Sequence, residues 1–157
     1  MTSTYLSFTI YGDLYAVPVE KVLEVLEKQE FTIVPNAPPV IKGILNFRGN
    51  AIPLYDSRTR FNLPEREADS NFVIIVIDLV VGNDSYQVGA IVDKVQDVLL
   101  LKENEIEPVP PMSKEFNAEY LKGIAKIDDK YILLIDVDKI FSSSEKKEIR
   151  KVATIKN

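Results

Sequence analysis

The chain of 157 residues contains no cysteine and no histidine. Without cysteine there is neither a disulfide framework nor a thiol nucleophile. Without histidine the chain lacks the usual general base near neutral pH and the commonest metal ligand. A serine–histidine hydrolase is therefore excluded, and we expect no metal site, no cofactor and no catalysis.

Long apolar runs and clustered positive charge are also missing. The longest apolar run, Phe72 to Val81, carries Asp78 and is well short of the roughly 20 residues that cross a bilayer. The N-terminal residues MTSTYLSF include no basic region and no cleavable apolar segment. A net charge of −5 argues against a nucleic-acid surface, which needs clustered cations. We expect a cytoplasmic protein with no nucleic-acid partner and no direct membrane insertion.

What the chain does contain is a repeat. Residues Ile41 to Phe61 and Leu121 to Phe141 align without a gap and are identical at seven of 21 positions, where chance gives roughly one or two. Each copy has two short apolar runs around a polar turn, which predicts a β-hairpin. The identical pairs are Lys42/Lys122, Gly43/Gly123, Ile44/Ile124, Ile52/Ile132, Leu54/Leu134, Asp56/Asp136 and Phe61/Phe141.

The segments before these hairpins repeat in the same order. A predicted hairpin opens each half, and it is followed by EKVLEVL at Glu20 to Leu26 or by DKVQDVL at Asp93 to Leu99. The polar segment Asn62 to Asn71 predicts a linker, which divides the chain into approximate lobes 1–66 and 67–157. Near the C-terminus, Ser142 and Glu145 have the spacing of a capping box that begins a short helix.

This order predicts an all-β protein of two pseudo-repeated lobes, each a small curved sheet or barrel of about five strands with short helical turns. Two lobes that pack together bury more apolar area than either does alone. Their packing also leaves a groove along the seam, which is a favoured place for a ligand or a partner helix.

Several residues have two readings from the sequence alone. Asp56 and Asp136 each follow a predicted strand, so they either cap the next turn or act as an acid–base pair. Arg48, at a hairpin tip where the other copy has Asp128, is either a partner contact or a locally paired surface residue. Val22 and Val95, at equivalent places in the repeats, either belong to the core or line the seam.

The order of these motifs resembles the CheW family of bacterial chemotaxis coupling proteins. The resemblance covers Tyr5 to about Phe141 and is carried by PVEKVLEV, VGAIVDKVQDVL and the two hairpins. The family pattern of NLRG followed by isoleucine, proline, two hydrophobic residues and aspartate is present here as NFRG and IPLYD. We therefore expect a single CheW-like domain over residues 1–157.

The resemblance implies two SH3-like β-barrel lobes and a non-enzymatic scaffold. Its partners in the family are the helical tips of chemoreceptors and the regulatory domain of the histidine kinase CheA, in arrays beneath the inner membrane. Matched by motif, the receptor-binding residues are Val19, Val22, Glu24, Val25, Val95 and Arg48. The kinase-binding residues are Ile106, Glu107, Pro108 and Met112.

Three alternatives remain at this point. A small-molecule-binding β-barrel, or an enzyme that uses carboxylates such as those of Asp56 and Asp136, would need a deep closed cavity instead of an open groove. A regulatory module of a longer kinase would share the same motifs, although the start at Met1 and the basic end favour a stand-alone protein. We expect a chain that is mainly monomeric in solution, with exposed barrel edges through which copies could pair weakly.

Overall fold

The computed structural model describes residues 1–110 and 119–153, and most of its regular structure is β-strand. No helix among these residues is both long and apolar enough to cross a membrane. The strands are β1 (Thr2–Ile10), β2 (Asp13–Pro18), β3 (Val22–Glu27), β4 (Ile41–Phe47), β5 (Asn50–Asp56), β6 (Val73–Val81), β7 (Asp84–Val92), β8 (Lys94–Lys102), β9 (Ile106–Glu107), β10 (Leu121–Ile127) and β11 (Lys130–Ile135). The helices are α1 (Ser57–Arg60) and α2 (Ser143–Ala153), with 3-10 turns at Val19–Lys21, Glu103–Glu105 and Val137–Lys139.

The strands form two sheets. Sheet A has the order β8-β1-β2-β11-β10-β9, and sheet B has the order β3-β6-β7-β5-β4. Neighbours are antiparallel except for β2 with β11 and β5 with β7, which are parallel. The prediction of an all-β protein with two related lobes is confirmed.

Each sheet combines hairpins from both repeats. Sheet A takes the opening hairpin β1–β2 from the first repeat, and β8 with the closing hairpin β10–β11 from the second. Sheet B takes β6–β7 from the second repeat, and β3 with β4–β5 from the first. The lobe limits 1–66 and 67–157 therefore do not separate the sheets, because parallel pairing joins each closing hairpin to the opening hairpin of the other repeat.

Each sheet is closed into a barrel by the chain that follows its edge strand. After β3, Thr32 forms a bridge with Ile44 of β4 through two backbone hydrogen bonds of 2.9 and 2.7 Å. After β8, the short strand β9 pairs with β10 in the same way. Both closures cross the closing hairpin at a glycine, Gly43 or Gly123, where an added Cβ would collide with the crossing backbone. These glycines lie inside strands at β-bulges.

The main core lies between the sheets and draws side chains from both, such as Phe8 and Val17 of sheet A and Ile75 and Ile77 of sheet B. Ile149 of α2 is fully buried in it. Two smaller clusters fill the barrels, one around Leu54 and Ile74 in sheet B and one around Tyr5 and Leu134 in sheet A. Since most buried side chains lie in the shared cluster, the sheets stabilise each other.

The segment predicted as a linker, Asn62 to Asn71, is fixed to the rest of the fold. Leu63 packs against the main core, and its backbone N–H donates to the Arg58 carbonyl at 2.8 Å. Lys28 donates to the Ser70 carbonyl at 2.9 Å. The Arg66 guanidinium is buried, with 8% of the side chain exposed. The polar composition suggested a free connection because the ion pairs of Arg66 with Asp56 and Asp93, outside the segment, are not visible in the sequence.

The predicted C-terminal helix is confirmed together with its cap. The backbone N–H of Glu145 donates to the Ser142 hydroxyl at 3.2 Å, and the Ser142 N–H donates to the Glu145 carboxylate at 2.7 Å. This reciprocal pair satisfies two backbone donors at the helix start.

Candidate functional site

An open groove of about 690 Å³ separates the edge strands of the two sheets. One wall is formed by β3, with Val25, Leu26 and Glu27. The other is formed by the start of β8, with Lys94, Val95 and Gln96. Because β3 and β8 are the same element of the two repeats, the groove has equivalent walls.

The four predicted receptor-binding valines lie at different depths. Val25 and Val95 line the groove, and the side chain of Val25 is 43% exposed. Val22 and Val95 are partly buried and pack against the main core, so the core reading applies to both, whereas Val95 also lines the groove and Val22 does not. Val19 is exposed on the 3-10 turn before β3. Contact of these residues with a receptor stays a prediction.

Glu24 and Arg48 form an ion pair although they are 24 residues apart. The Arg48 Nη2 donates to the Glu24 Oε1 at 2.6 Å, and the guanidinium lies 4.8 Å from the centre of the Phe47 ring. Arg48 forms the tip of the β4–β5 hairpin, and its side chain is 64% exposed. The pair places the arginine head beside the groove wall β3, and its free face remains open to solvent.

The predicted kinase-binding residues are separate from the groove walls. Ile106 and Glu107 form β9, which closes the barrel of sheet A against Ala125 and Ile124 of β10. Pro108 follows as irregular chain, and Met112 lies outside the described residues. Kinase contact at this segment stays a prediction.

Two exposed apolar residues of β8 were missed by sequence reasoning. Val98 is 63% exposed and Leu100 is 71% exposed. In the alignment of EKVLEVL with DKVQDVL, Val98 corresponds to Val25. The repeat therefore already indicated that Val98 is a candidate surface residue like Val25. Leu100 has no such signal, because the repeat alignment ends at Leu99.

The sequence also gave no sign of a charged network at the floor of the groove. Asp93, the residue between β7 and β8, accepts hydrogen bonds from Arg58 at 2.7 and 3.2 Å and from Arg66. Arg66 also donates to both carboxylate oxygens of Asp56, at 3.0 and 3.3 Å. Burial alone would raise the pKa of Asp93, but hydrogen bonds from Arg58, from the Tyr11 N–H and from Arg66 lower it below the ordinary value.

Asp56 and Asp136 are helix caps, as one of the two readings predicted. The Asp56 Oδ1 accepts from the Arg58 N–H at 3.0 Å at the start of α1. The Asp136 Oδ1 accepts from the Asp138 N–H at 3.2 Å at the start of a 3-10 turn. Both carboxylates therefore satisfy backbone donors.

The cavity enclosed by core residues of the described chain is too small for a small-molecule ligand. The cavity lined by core residues such as Phe8, Tyr55 and Ile77 measures about 10 Å³, room for at most one water. Among residues 1–110 and 119–153, no group of three or more histidine, cysteine, aspartate or glutamate side chains is arranged to hold a metal ion. The open groove is thus the main candidate site in the described part of the chain.

Comparisons with known proteins agree with this architecture. The model of the CheW-like domain family matches residues 4–145. The chemotaxis protein CheW of Klebsiella aerogenes is 33% identical over 149 residues, which cover 95% of this chain and 87% of that protein. The CheW protein of Bacillus subtilis is 33% identical over 133 residues, which cover 85% and 83%. The crystal structure of the scaffolding protein CheW from Thermoanaerobacter tengcongensis superposes with a TM-score of 0.79 at 32% identity, covering 92% of this chain and 91% of that one.

Proposed function

Since the chain belongs to the CheW family, we propose that it couples the cytoplasmic tips of chemoreceptors to the histidine kinase CheA. Family membership makes the chain a non-enzymatic scaffold of chemotaxis. The coupling of these two partners by this chain is the proposal.

The groove between β3 and β8 is the observation that carries the receptor half of the proposal. Its walls present valine side chains, Val25 and Val95, and Val98 extends the apolar surface along β8. An amphipathic helix inserts its apolar face into grooves of this kind. The Arg48–Glu24 pair borders the β3 wall, where the guanidinium can reach acidic or polar groups on a bound helix.

The kinase half of the proposal concerns a different segment. We assign the regulatory domain of CheA to Ile106, Glu107, Pro108 and Met112, which belong to the chain around and after β9. Because Ile106, Glu107 and Pro108 are not among the residues that line the groove, the two proposed partners do not compete for these side chains. We place the assembly in the cytoplasm, in receptor arrays beneath the inner membrane, where many modest contacts add up through effective concentration.

The alternative of a ligand-binding or catalytic barrel has weaker support. It requires a deep closed cavity, whereas the core cavity measures about 10 Å³. The two carboxylates that it would use are engaged as caps. No specific observation favours it over the scaffold.

Binding measurements with the two isolated partners test the proposal. A receptor-tip helical fragment and the regulatory domain of CheA are each titrated against the intact chain. We expect both to bind, and binding of the intact chain to neither would defeat the proposal.

The sharpest variant for the receptor surface is Val25→Asp. Val25 is exposed and lines the groove, so a charge there should weaken receptor-tip binding by about tenfold or more without unfolding the chain. Val22→Asp is less decisive because Val22 also packs against the main core. Ile33→Asp is the matched control, since Ile33 is 74% exposed and lies outside the groove. Equal loss in both variants would contradict the assignment of the groove.

A further inference from the structure

The two walls of the groove belong to different sheets, so their spacing depends on what joins them. The start of β8 follows Asp93, the residue at which the chain crosses from sheet B to sheet A. The Asp93 carboxylate accepts from the Tyr11 N–H at 2.8 Å, and its own N–H donates to the Thr9 carbonyl at 2.9 Å. The base of the β8 wall is therefore anchored to the β1–β2 turn of sheet A.

The same carboxylate is tied to sheet B through two arginines. Arg58 of α1 donates to it twice, and Arg66 donates to it and to Asp56 at the end of β5. Arg58, Arg66 and Asp93 all line the groove floor. Two guanidinium groups balance two carboxylates, an arrangement that buried charges need.

The segment that carries Arg66 also reaches the opposite wall. Four residues after Arg66, the Ser70 carbonyl accepts from Lys28 at 2.9 Å, and Lys28 directly follows β3. The Lys28 ammonium lies 5.3 Å from the centre of the Phe72 ring, and the Arg66 guanidinium lies 5.8 Å from it. A path thus runs from the β8 wall through the Asp93–Arg66 ion pair, along the chain from Arg66 to Ser70, and through the Ser70–Lys28 hydrogen bond to the end of the β3 wall.

We propose that Asp93 is a positioning residue that, through Arg66 and the strap Asn62 to Asn71, sets the spacing of the two groove walls for a partner helix. Neutralising it removes the carboxylate with which Arg58 pairs and weakens one bond of Arg66, while the shared apolar core still holds the sheets together. Preorganised walls lower the cost of binding, and loose walls raise it. The effect on partner affinity rests on the proposed function, whereas the effect on wall spacing does not.

The absence of cysteine makes the spacing measurable. Cysteines are introduced at the exposed wall residues Glu27 and Gln96, and each is modified with a spin label. Pulsed electron paramagnetic resonance then records the distribution of distances between the two labels. We expect Asp93→Asn to broaden this distribution relative to the parent. Asp97→Asn, which neutralises an acidic side chain of the adjoining strand β8 outside the network, should not.

A second variant acts at the other end of the strap. Lys28→Met removes the bond to Ser70 at an exposed position, where the fold does not depend on it. We expect it to broaden the distribution in the same sense as Asp93→Asn. An unchanged distribution in both variants overturns the proposal. If Asp93→Asn proves too unstable to study, an unchanged distribution in Lys28→Met overturns it alone.

Affinity is measured separately with the unlabelled variants and a receptor-tip fragment. We expect Asp93→Asn to bind about tenfold more weakly than Asp97→Asn. Equal binding by the two variants, with tight binding by the parent, overturns the positioning role while the proposed function stands. If Asp93→Asn broadens the distance distribution but the parent binds no receptor tip, the spacing role is supported and the proposed function is defeated instead.

Discussion

Arg48 occupies a backbone conformation that few side chains favour. Its φ is +52°, and Gly49 beside it has a φ of +84°, so the two form the loop between the paired residues Phe47 and Asn50. The equivalent loop of the second closing hairpin, Asp128 and Asp129, has φ values of +48° and +66°. Two-residue loops of this kind favour asparagine, aspartate and glycine. Arginine is disfavoured in such a loop, so the geometry of the turn does not explain the presence of Arg48.

We predict that Arg48→Asn separates stability from binding. Asparagine tolerates the left-handed region better than arginine, which is worth up to about 1 kcal/mol. The exposed ion pair with Glu24 that is lost contributes about 0.2–1 kcal/mol. Denaturant unfolding should therefore give a free energy of unfolding within about 1 kcal/mol of the parent. Titration with a receptor-tip fragment should show affinity reduced by about tenfold.

Asp128→Asn provides the control because it changes the equivalent loop position in sheet A. It should alter neither stability nor receptor binding by much. If Arg48→Asn binds as tightly as the parent, Arg48 is a locally paired surface residue, which is the other reading that the sequence allowed.

A buried tyrosine gives the chain a specific sensitivity to alkali. Burial, with smaller contributions from Asp13 and Tyr120, raises the pKa of Tyr15 from 10.0 to about 12. A folded-state pKa above the unfolded one means that the stabilisation is complete below pH 10 and is lost as the pH rises towards 12. The free energy of unfolding should fall over this range, and the tyrosinate absorbance of Tyr15 should appear late in the titration. In Tyr15→Phe, which keeps a ring between Phe8 and Phe61, the fall should be shallower, and an identical fall would contradict the assignment.

At the scale of single elements, the closing hairpins show the same device twice. The chain after the edge strand crosses the hairpin at Gly43 in one barrel and at Gly123 in the other. A Cβ on Gly43 would lie 2.2 Å from the Thr32 carbonyl oxygen, and one on Gly123 would lie 2.8 Å from the Glu107 carbonyl oxygen. Neither glycine has a left-handed φ, so close approach of the backbone is the reason for glycine at both places.

We predict that alanine at either glycine destabilises the fold and that Gly43→Ala is the worse of the two. The crossing backbone must move farther at Gly43, and overpacking of this kind costs about 1–3 kcal/mol or more. Thermal or denaturant unfolding of the two variants beside the parent measures the order. Equal stability of parent and Gly43→Ala would show that the barrel closure around Thr32 is looser than described.

The hairpins themselves could be predicted because their signals are local. Apolar runs around a polar turn, a proline before a helical turn and a capping box each act within a few residues. The segment Asn62 to Asn71 shows where local reading fails. Its charges resemble those of a solvated linker, and only the fold brings Arg66 between Asp56 and Asp93. Arg48 and Glu24 were both selected through the family resemblance, yet nothing in their 24-residue separation indicates that they pair.

At the scale of the whole molecule, the repeat was readable but its arrangement was not. The alignment of the halves establishes that a unit occurs twice, and it says nothing about which copy pairs with which. In the folded chain the repeats exchange edge strands. β3 of the first repeat pairs with β6 of the second, and β8 of the second repeat pairs with β1 of the first. Either sequence half alone lacks the neighbours of several of its strands. The groove follows from this exchange. Its two walls are the edge strands β3 and β8, and each of them pairs with the opening hairpin of the other repeat.

We predict that fragments 1–66 and 67–157 do not fold separately. Fragment 1–66 lacks the partners of β1 and β3 in β8 and β6, and both fragments expose side chains of the shared core. Circular dichroism should show little cooperative β-structure in either fragment alone. An equimolar mixture should regain the β-sheet spectrum and a cooperative thermal transition, because the missing strands are then supplied in trans. A fragment that unfolds cooperatively by itself would mean that its repeat forms its own barrel, and the exchanged sheets described above could not both be required for stability.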